Sequence, residues 1–229
     1  MRWVVLVACA GCLSGIDPEW QLDHDRIVAI RATPPHIPLG GTSTLDGLIA
    51  HKGEPTDLEQ PIAAGAPTAV EGLGDAVTFD GQHWNVAGFN EAQLDQARLD
   101  LGLAAGAPVP LDVIVQFADS GGVQLVGKKT VWLGDSADNP ASVGDVQVGG
   151  TPPGASITIP SDVDVPLSTD TDTANMVDWL TSCGTMHDDD EHAAFVHVQP
   201  SDSHAGELAL VVRDPLGGVV WQVWPISAQ

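Results

Sequence analysis

Val109-Pro110-Leu111-Asp112-Val113-Ile114-Val115-Gln116-Phe117-Ala118-Asp119-Ser120-Gly121-Gly122-Val123 is the most informative run in the chain. Val109, Leu111, Val113, Val115 and Phe117 recur at every second position, the period that sends alternate side chains to opposite faces of a strand. Asp119-Ser120-Gly121-Gly122 is a turn, and Val123 to Leu133 returns as a second strand. The same grammar closes the chain. Leu208 to Val212, Asp214, Gly217-Gly218-Val219 and Trp221 or Trp224 match Leu111 to Phe117, Asp119, Gly121-Gly122-Val123 and Trp132 in order and character. Two copies of one hairpin imply an internal duplication, the first copy being longer by an insertion around residues 52 to 74.

Working upstream, Ile27 to Ala32 is a strand, Thr33-Pro34-Pro35-His36-Ile37-Pro38-Leu39-Gly40-Gly41 a Pro/Gly corner, and Thr42 to Ala50 another strand. His51 to Gly74 reads as a long connection holding one short strand. Val77-Thr78-Phe79 and His83 to Val86 flank the turn Asp80-Gly81, and Glu91 to Leu103 forms a short helix or an irregular crossover. In the second half, Val143 to Val148 is a strand, Pro152-Pro153-Gly154 a corner, and Val163 to Leu167 a strand. The 229 residues, with 25 Gly and 17 Pro, favour many turns over long helices. These patterns predict an all-β chain of two tandem Ig-like β-sandwich domains, residues 26–134 and 141–229, joined by the turn-prone stretch Gly134 to Pro140. Trp84, Trp132 and Trp179 are expected in the cores.

Met1-Arg2-Trp3-Val4-Val5-Leu6-Val7-Ala8-Cys9-Ala10-Gly11-Cys12 has one basic residue, an apolar run and small residues ending at a cysteine. This is signal-peptide grammar, and the run is too short to span a bilayer. Residues 1–11 are thus a signal and residues 12–25 a polar tether, with Trp20 docking on the first domain. Ala10-Gly11-Cys12 resembles a bacterial lipoprotein signal, which implies lipidation of Cys12; Leu6-Val7-Ala8-Cys9 is an alternative match with a shorter apolar run. Two or more acyl chains, at about 0.8 kcal/mol per buried CH₂, anchor a protein stably. With Leu13 after the cysteine, the sorting rule of that family implies the outer membrane of a bacterial envelope, facing periplasm or surface.

The opening of the first domain, an apolar strand leading through Pro34-Pro35 and Gly40-Gly41 into a second strand, resembles the Ig-like lipoprotein domains of myxobacteria. The resemblance covers most of the chain and implies a structural module. No activity comes with it.

Eight Lys and Arg against 31 Asp and Glu give a formal charge of −23, which argues against nucleic acid as a partner and favours a solvated surface. Chemistry-bearing residue types concentrate in Val177 to His192. Trp179 reads as a core tryptophan on a central strand, with an acidic loop after it. The same loop offers His187, Asp188, Asp190 and His192 as oxygen and nitrogen ligands for a weakly held divalent cation, although its spacing matches neither a calcium loop nor a zinc helix. Asp170-Thr171-Asp172 reads as local turn chemistry. Cys183 lacks the orienting group and positive surroundings of a nucleophile, and an acidic neighbourhood raises a thiol pKa. His197 is expected to point outward from its strand. Trp221 and Trp224 lie on opposite faces of one strand, so one of them is a candidate contact for an envelope protein partner. The expected function is a non-enzymatic envelope lipoprotein, a spacer, adhesion or assembly module without a cofactor; the alternative is a cation- or small-ligand-binding lipoprotein using the loop 187–192.

Overall fold

The computed structural model describes residues 18–229. The proposed lipidated Cys12 and the signal therefore lie outside the described residues. In the first half, one sheet runs in the order β1 (Arg26–Thr33), β3 (Thr42–His51), β7 (Trp84–Ala87), β6 (Val77–Phe79), with β4 (Glu54–Glu59) also paired to β3. The facing sheet runs β2 (His36–Ile37), β9 (Gln124–Leu133), β8 (Val109–Ala118), β5 (Ala63–Gly65). The second half repeats both orders strand for strand. One sheet is β10 (Val146–Val148), β12 (Asp164–Thr169), β15 (Ala193–His197), β14 (Thr185–His187); the other is β11 (Ile157–Ile159), β17 (Val219–Ala228), β16 (Ala205–Arg213), β13 (Met176–Thr181). Even the parallel pairings correspond, β2 on β9 and β11 on β17. Among the described residues no sheet draws strands from both halves. The fold is thus a pair of tandem β-sandwiches.

The hairpins that carried the sequence reading form as expected. β8 and β9 pair from Val109↔Leu133 to Ala118↔Gln124, and β16 and β17 from Ala205↔Ser227 to Arg213↔Val219. Asp119 Oδ1 accepts from the amides of Gly121 and Val123, and Asp214 Oδ1 from those of Leu216 and Gly218, so each turn is closed by its aspartate. Every inward residue of β8, from Val109 to Phe117, is buried in one core with Ile37, Leu45, Val86 and Leu133. Gly47 lies under the Phe117 ring; a Cβ there would come within 2.5 Å of it, so this position needs glycine for packing. The other core gathers Trp179, Leu208, Leu210, Val212, Trp224 and Ile226.

Three expectations change. The segment 51–74 holds two strands where one was expected, because its polar Glu54-Pro55-Thr56-Asp57 run finds hydrogen-bond partners along β3, while Ala63 to Gly65 crosses to β8 in the other sheet. The insertion in the first copy is therefore chiefly β4. Trp132 is not a core residue: its neighbours Val131 and Leu133 take the inward positions, and its ring stacks on His36 with centroids 6.0 Å apart. Trp84 only edges the core, tilted against Phe79. The Glu91–Leu101 segment is a helix, α1, with Asn90 and Gln93 in a reciprocal capping box and Gly102 in the left-handed region at its end.

Candidate functional site

A third apolar cluster lies between the sandwiches. Leu22, Val28, Ala29, Leu48 and Ala50 from the first half pack on Leu180, Ala209, Val211 and Val219 from the second, flanked by Trp221 and Val223. The strands responsible are apolar on both faces. Leu208 to Val212 is buried without interruption, as is Gly47 to Ala50, so these strands face a core on one side and the neighbouring sandwich on the other. A bulge in β1 between Ile27 and Ala29 accompanies the contact, and the Val28 carbonyl accepts from Arg213 Nη2 at 3.0 Å.

Polar stitches surround this seam. Lys129 Nζ donates to the Gly217 carbonyl at 2.5 Å, and His36 Nε2 is 2.7 Å from the Leu216 carbonyl oxygen. The Thr56 amide donates to Glu207 Oε2 at 2.7 Å, while Asn139 Nδ2 donates to Ala32 O and its Oδ1 accepts from the Val219 amide. Arg31 holds Asp46 through two hydrogen bonds and lies 4.1 Å from the centroid of the Trp221 ring. Arg26, Arg31, Lys129 and Arg213 make up half of the chain's eight Lys and Arg residues, so its scarce positive charge concentrates where the halves meet. Burial pushes the Lys129 ammonium down to about 8, with the Arg213 charge adding to the effect.

Residues 18–25 are not a free tether. The Leu22 amide donates to Thr181 O at 3.0 Å and the Thr181 amide to Trp20 O at 2.8 Å, so the segment runs along the β13 edge as a strap. Trp20 packs on the second core rather than the first, because β13 presents an unpaired edge beside which the ring finds apolar cover. The strap then enters β1 through Asp25. That carboxylate accepts from the Lys52 amide and Ser120, faces His51 Nδ1 at 3.6 Å, and is held below its usual range mainly by the Lys52 amide. His51 Nε2 meets Glu59, whose hydrogen bond raises the imidazole pKa. Ser120 bonds Asp25 rather than His51, so the trio is not arranged as a nucleophile and base.

The residues singled out from sequence are dispersed. His187, Asp188 and Asp190 are exposed, and His192 Nε2 turns to the Asp172 carbonyl at 3.2 Å. Among the described residues no three His, Cys, Asp or Glu side chains converge as metal ligands. The physical reason is Trp179: its amide takes Asp189 O at 2.8 Å and its indole N–H takes Glu191 O at 3.1 Å, which pins the loop as a tight turn with Asp188 in the left-handed region. Asp172 accepts from the Ala174 amide, the local turn role expected of it, whereas Asp170 accepts from the Asp145 amide 25 residues away and ties β12 to the approach to β10. His197 bonds Asp164 across the strand pair at 2.8 Å. Cys183 is fully buried, and burial raises its thiol pKa. Of the two candidate contact tryptophans, Trp224 is 4% exposed in the second core, while Trp221 faces the seam under Arg31. Both rings are occupied within the chain.

The seam and its cations escaped the sequence reading. Their signal was present in Leu208-Ala209-Leu210-Val211-Val212 and Leu48-Ile49-Ala50, apolar runs that break alternation and so need cover on both faces.

A cleft of about 480 Å³ opens where strap, seam and acidic loop meet. Glu19, Trp20, Arg26, Asp178, Asp189 and Arg213 are among its lining residues. Burial lowers the pKa of both arginines, and the charge of Arg26 lowers that of Arg213 further; burial raises that of Asp189, as do the charges of Asp190 and Glu19.

No protein-family model matches the chain, and no curated protein matches it. Among solved structures, the fibronectin(III)-like modules of Clostridium thermocellum CbhA are 12% identical, the match covering 88% of this chain and 94% of that one at a TM-score of 0.31. Murine CEACAM1b is 12% identical over 88% of this chain and 99% of its own, with a TM-score of 0.30. Extracellular cadherin domains 3-6 of protocadherin gamma B2 are 12% identical over 90% of this chain and 51% of theirs, with a TM-score of 0.27. The sandwich assignment rests on the strands and sheets themselves.

Proposed function

We propose that this chain is a non-enzymatic envelope lipoprotein, held in the outer membrane by lipid on Cys12, whose two sandwiches act as one stiff spacer or assembly module for a protein partner. The observation that carries the reading is the apolar seam: tandem domains joined only by a linker move independently by default, whereas a large apolar contact holds them in one orientation. The strap adds to it, because a chain rising from Cys12 reaches Pro18 after six residues, at most about 20 Å of extended backbone. A lipid anchor there keeps the second sandwich near the bilayer. The resemblance to myxobacterial Ig-like lipoproteins and the signal-like residues 1–11 point the same way.

The test combines address and stiffness. Expressed in a bacterial host, the chain takes up labelled fatty acid and sediments with outer membranes, while Cys12→Ala loses both properties. Small-angle scattering of residues 18–229 fits a single orientation of the sandwiches. Absence of label on the wild-type chain overturns the anchor, and a scattering curve requiring a broad range of orientations overturns the spacer.

A further inference from the structure

The cleft beside the strap holds ions of both signs that the protein leaves partly unanswered. Arg26 commits Nη1 to the carbonyls of Glu19 and Gln21, and among the described residues its Nε and Nη2 have no acceptor. Arg213 is answered by Asp178 and by Val28 O, so it supplies background positive charge rather than a free donor. Asp189, Asp190 and Glu19 line the same cleft and form no ion pair among the described residues. Trp20, Val28 and Leu180 add apolar lining to the same cleft.

A simple anion meets Arg26 but faces three carboxylates. A simple cation meets those carboxylates but faces two guanidinium groups. A small molecule with both charges on one carbon satisfies each set at once, and about 480 Å³ is within the range of small-ligand pockets. We infer that the cleft of Glu19, Trp20, Arg26, Asp189 and Asp190 binds a small zwitterion of the α-amino acid class, its carboxylate on Arg26, its ammonium toward Asp189 and Asp190, and an apolar side chain against Trp20. Guanidinium suits a carboxylate because its planar fork donates two parallel hydrogen bonds. The site belongs to the folded chain and is independent of the membrane anchor. Both Glu19 and Trp20 belong to the strap, so an occupied cleft also fastens the strap to the acidic loop.

L-leucine and its two singly charged analogues, isoamylamine and 4-methylpentanoate, separate the contributions. In a nitrogen-15 NMR titration of residues 18–229, leucine is expected to give saturable shifts of the Trp20 indole and the Leu22 and Leu180 amides, with each analogue at least about tenfold weaker. Arg26→Gln weakens leucine about tenfold and does not weaken isoamylamine, from which it removes a repelling charge. Asp189→Asn, at a partly exposed position that tolerates the change, weakens leucine and isoamylamine together and does not weaken 4-methylpentanoate, from which it removes a repelling charge. No saturation by leucine up to about 10 mM, or equal binding by either analogue, overturns the assignment.

Discussion

The two sandwiches share a strand order but spend their outer faces differently. β12, in the second, alternates cleanly, with Val165, Leu167 and Thr169 inward and Asp164 and Pro166 in solvent. Its counterpart β3 alternates only to Leu45 and then buries Gly47, Leu48, Ile49 and Ala50 in succession. The roles reverse in the other sheet: β8 alternates along its length, whereas β16 buries five consecutive residues from Leu208 to Val212. Each half thus contributes one two-sided sheet and keeps one with a conventional wet face. The two halves share a topology, and the seam arises where each carries a second apolar face on a different sheet.

The largest expected effect isolates the second core. Trp179 is fully buried and fills the space between its sheets while its indole satisfies the Glu191 carbonyl. Trp179→Ala is expected to cost about 3–5 kcal/mol in urea unfolding and to free the acidic loop, which hydrogen exchange at Asp189 and Glu191 reports. Leu48 tests the seam. It is 2% exposed there and contributes nothing to the first core, so Leu48→Ala is expected to cost about 2–4 kcal/mol and to split one unfolding transition into two. A wild type that already unfolds in two transitions, only one of which Leu48→Ala lowers, shows that the seam does not couple the sandwiches.

Much of this was legible in the residues, and the remainder was hidden for a physical reason. The β8–β9 and β16–β17 hairpins announce themselves because alternation and Asp/Gly turn chemistry are local. The repeat follows from comparing them, while α1 was legible only as a short helix or an irregular crossover over Glu91 to Leu103. Trp179 was readable as a core residue, although its strand β13 lies at the edge of its sheet and not at the centre as expected. Trp132 and Trp221 were harder: on a strand with mixed neighbours, sequence does not say whether the outward face meets water or another sandwich. The loop 187–192 shows the same separation between sequence and geometry. Its ligand types are adjacent in sequence, but the turn pinned by Trp179 sends them apart, and convergence is a property of the backbone rather than of composition.

Lys128 and Lys129 sharpen the difference between a wet face and the seam. Lys128 stands in solvent with Asp112, while Lys129 is buried and reaches only the Gly217 carbonyl. Because burial depresses the Lys129 pKa to about 8, below the value of about 10.5 expected in the unfolded chain, the unfolded state binds the proton more tightly. Stability attributable to this group therefore rises as pH climbs from about 8 to about 10.5, and at neutral pH its charge is a liability. Lys129→Met is expected to stabilise the chain by roughly 1–3 kcal/mol at pH 7 and by progressively less toward pH 10.5, measured as the difference in urea midpoint from the wild type.

The smallest expected effect concerns the helix that only the first sandwich carries. Asn90 accepts from the Gln93 amide at 3.0 Å, and the Gln93 side chain accepts from the Asn90 amide at 3.1 Å. Together they close the first turn of α1, whose Leu94 and Ala97 reach the first core while Leu99 and Leu101 remain in solvent. A helix of 11 residues is marginal alone, so the cap and these two contacts hold it in place. Asn90→Ala removes the accepting oxygen and is expected to cost about 1 kcal/mol, with faster amide exchange confined to the first turn. If exchange quickens along β8 as well, the helix is part of the first sandwich's cooperative unit. If it does not, α1 is an appendage on a sandwich that, like its copy, is complete without it.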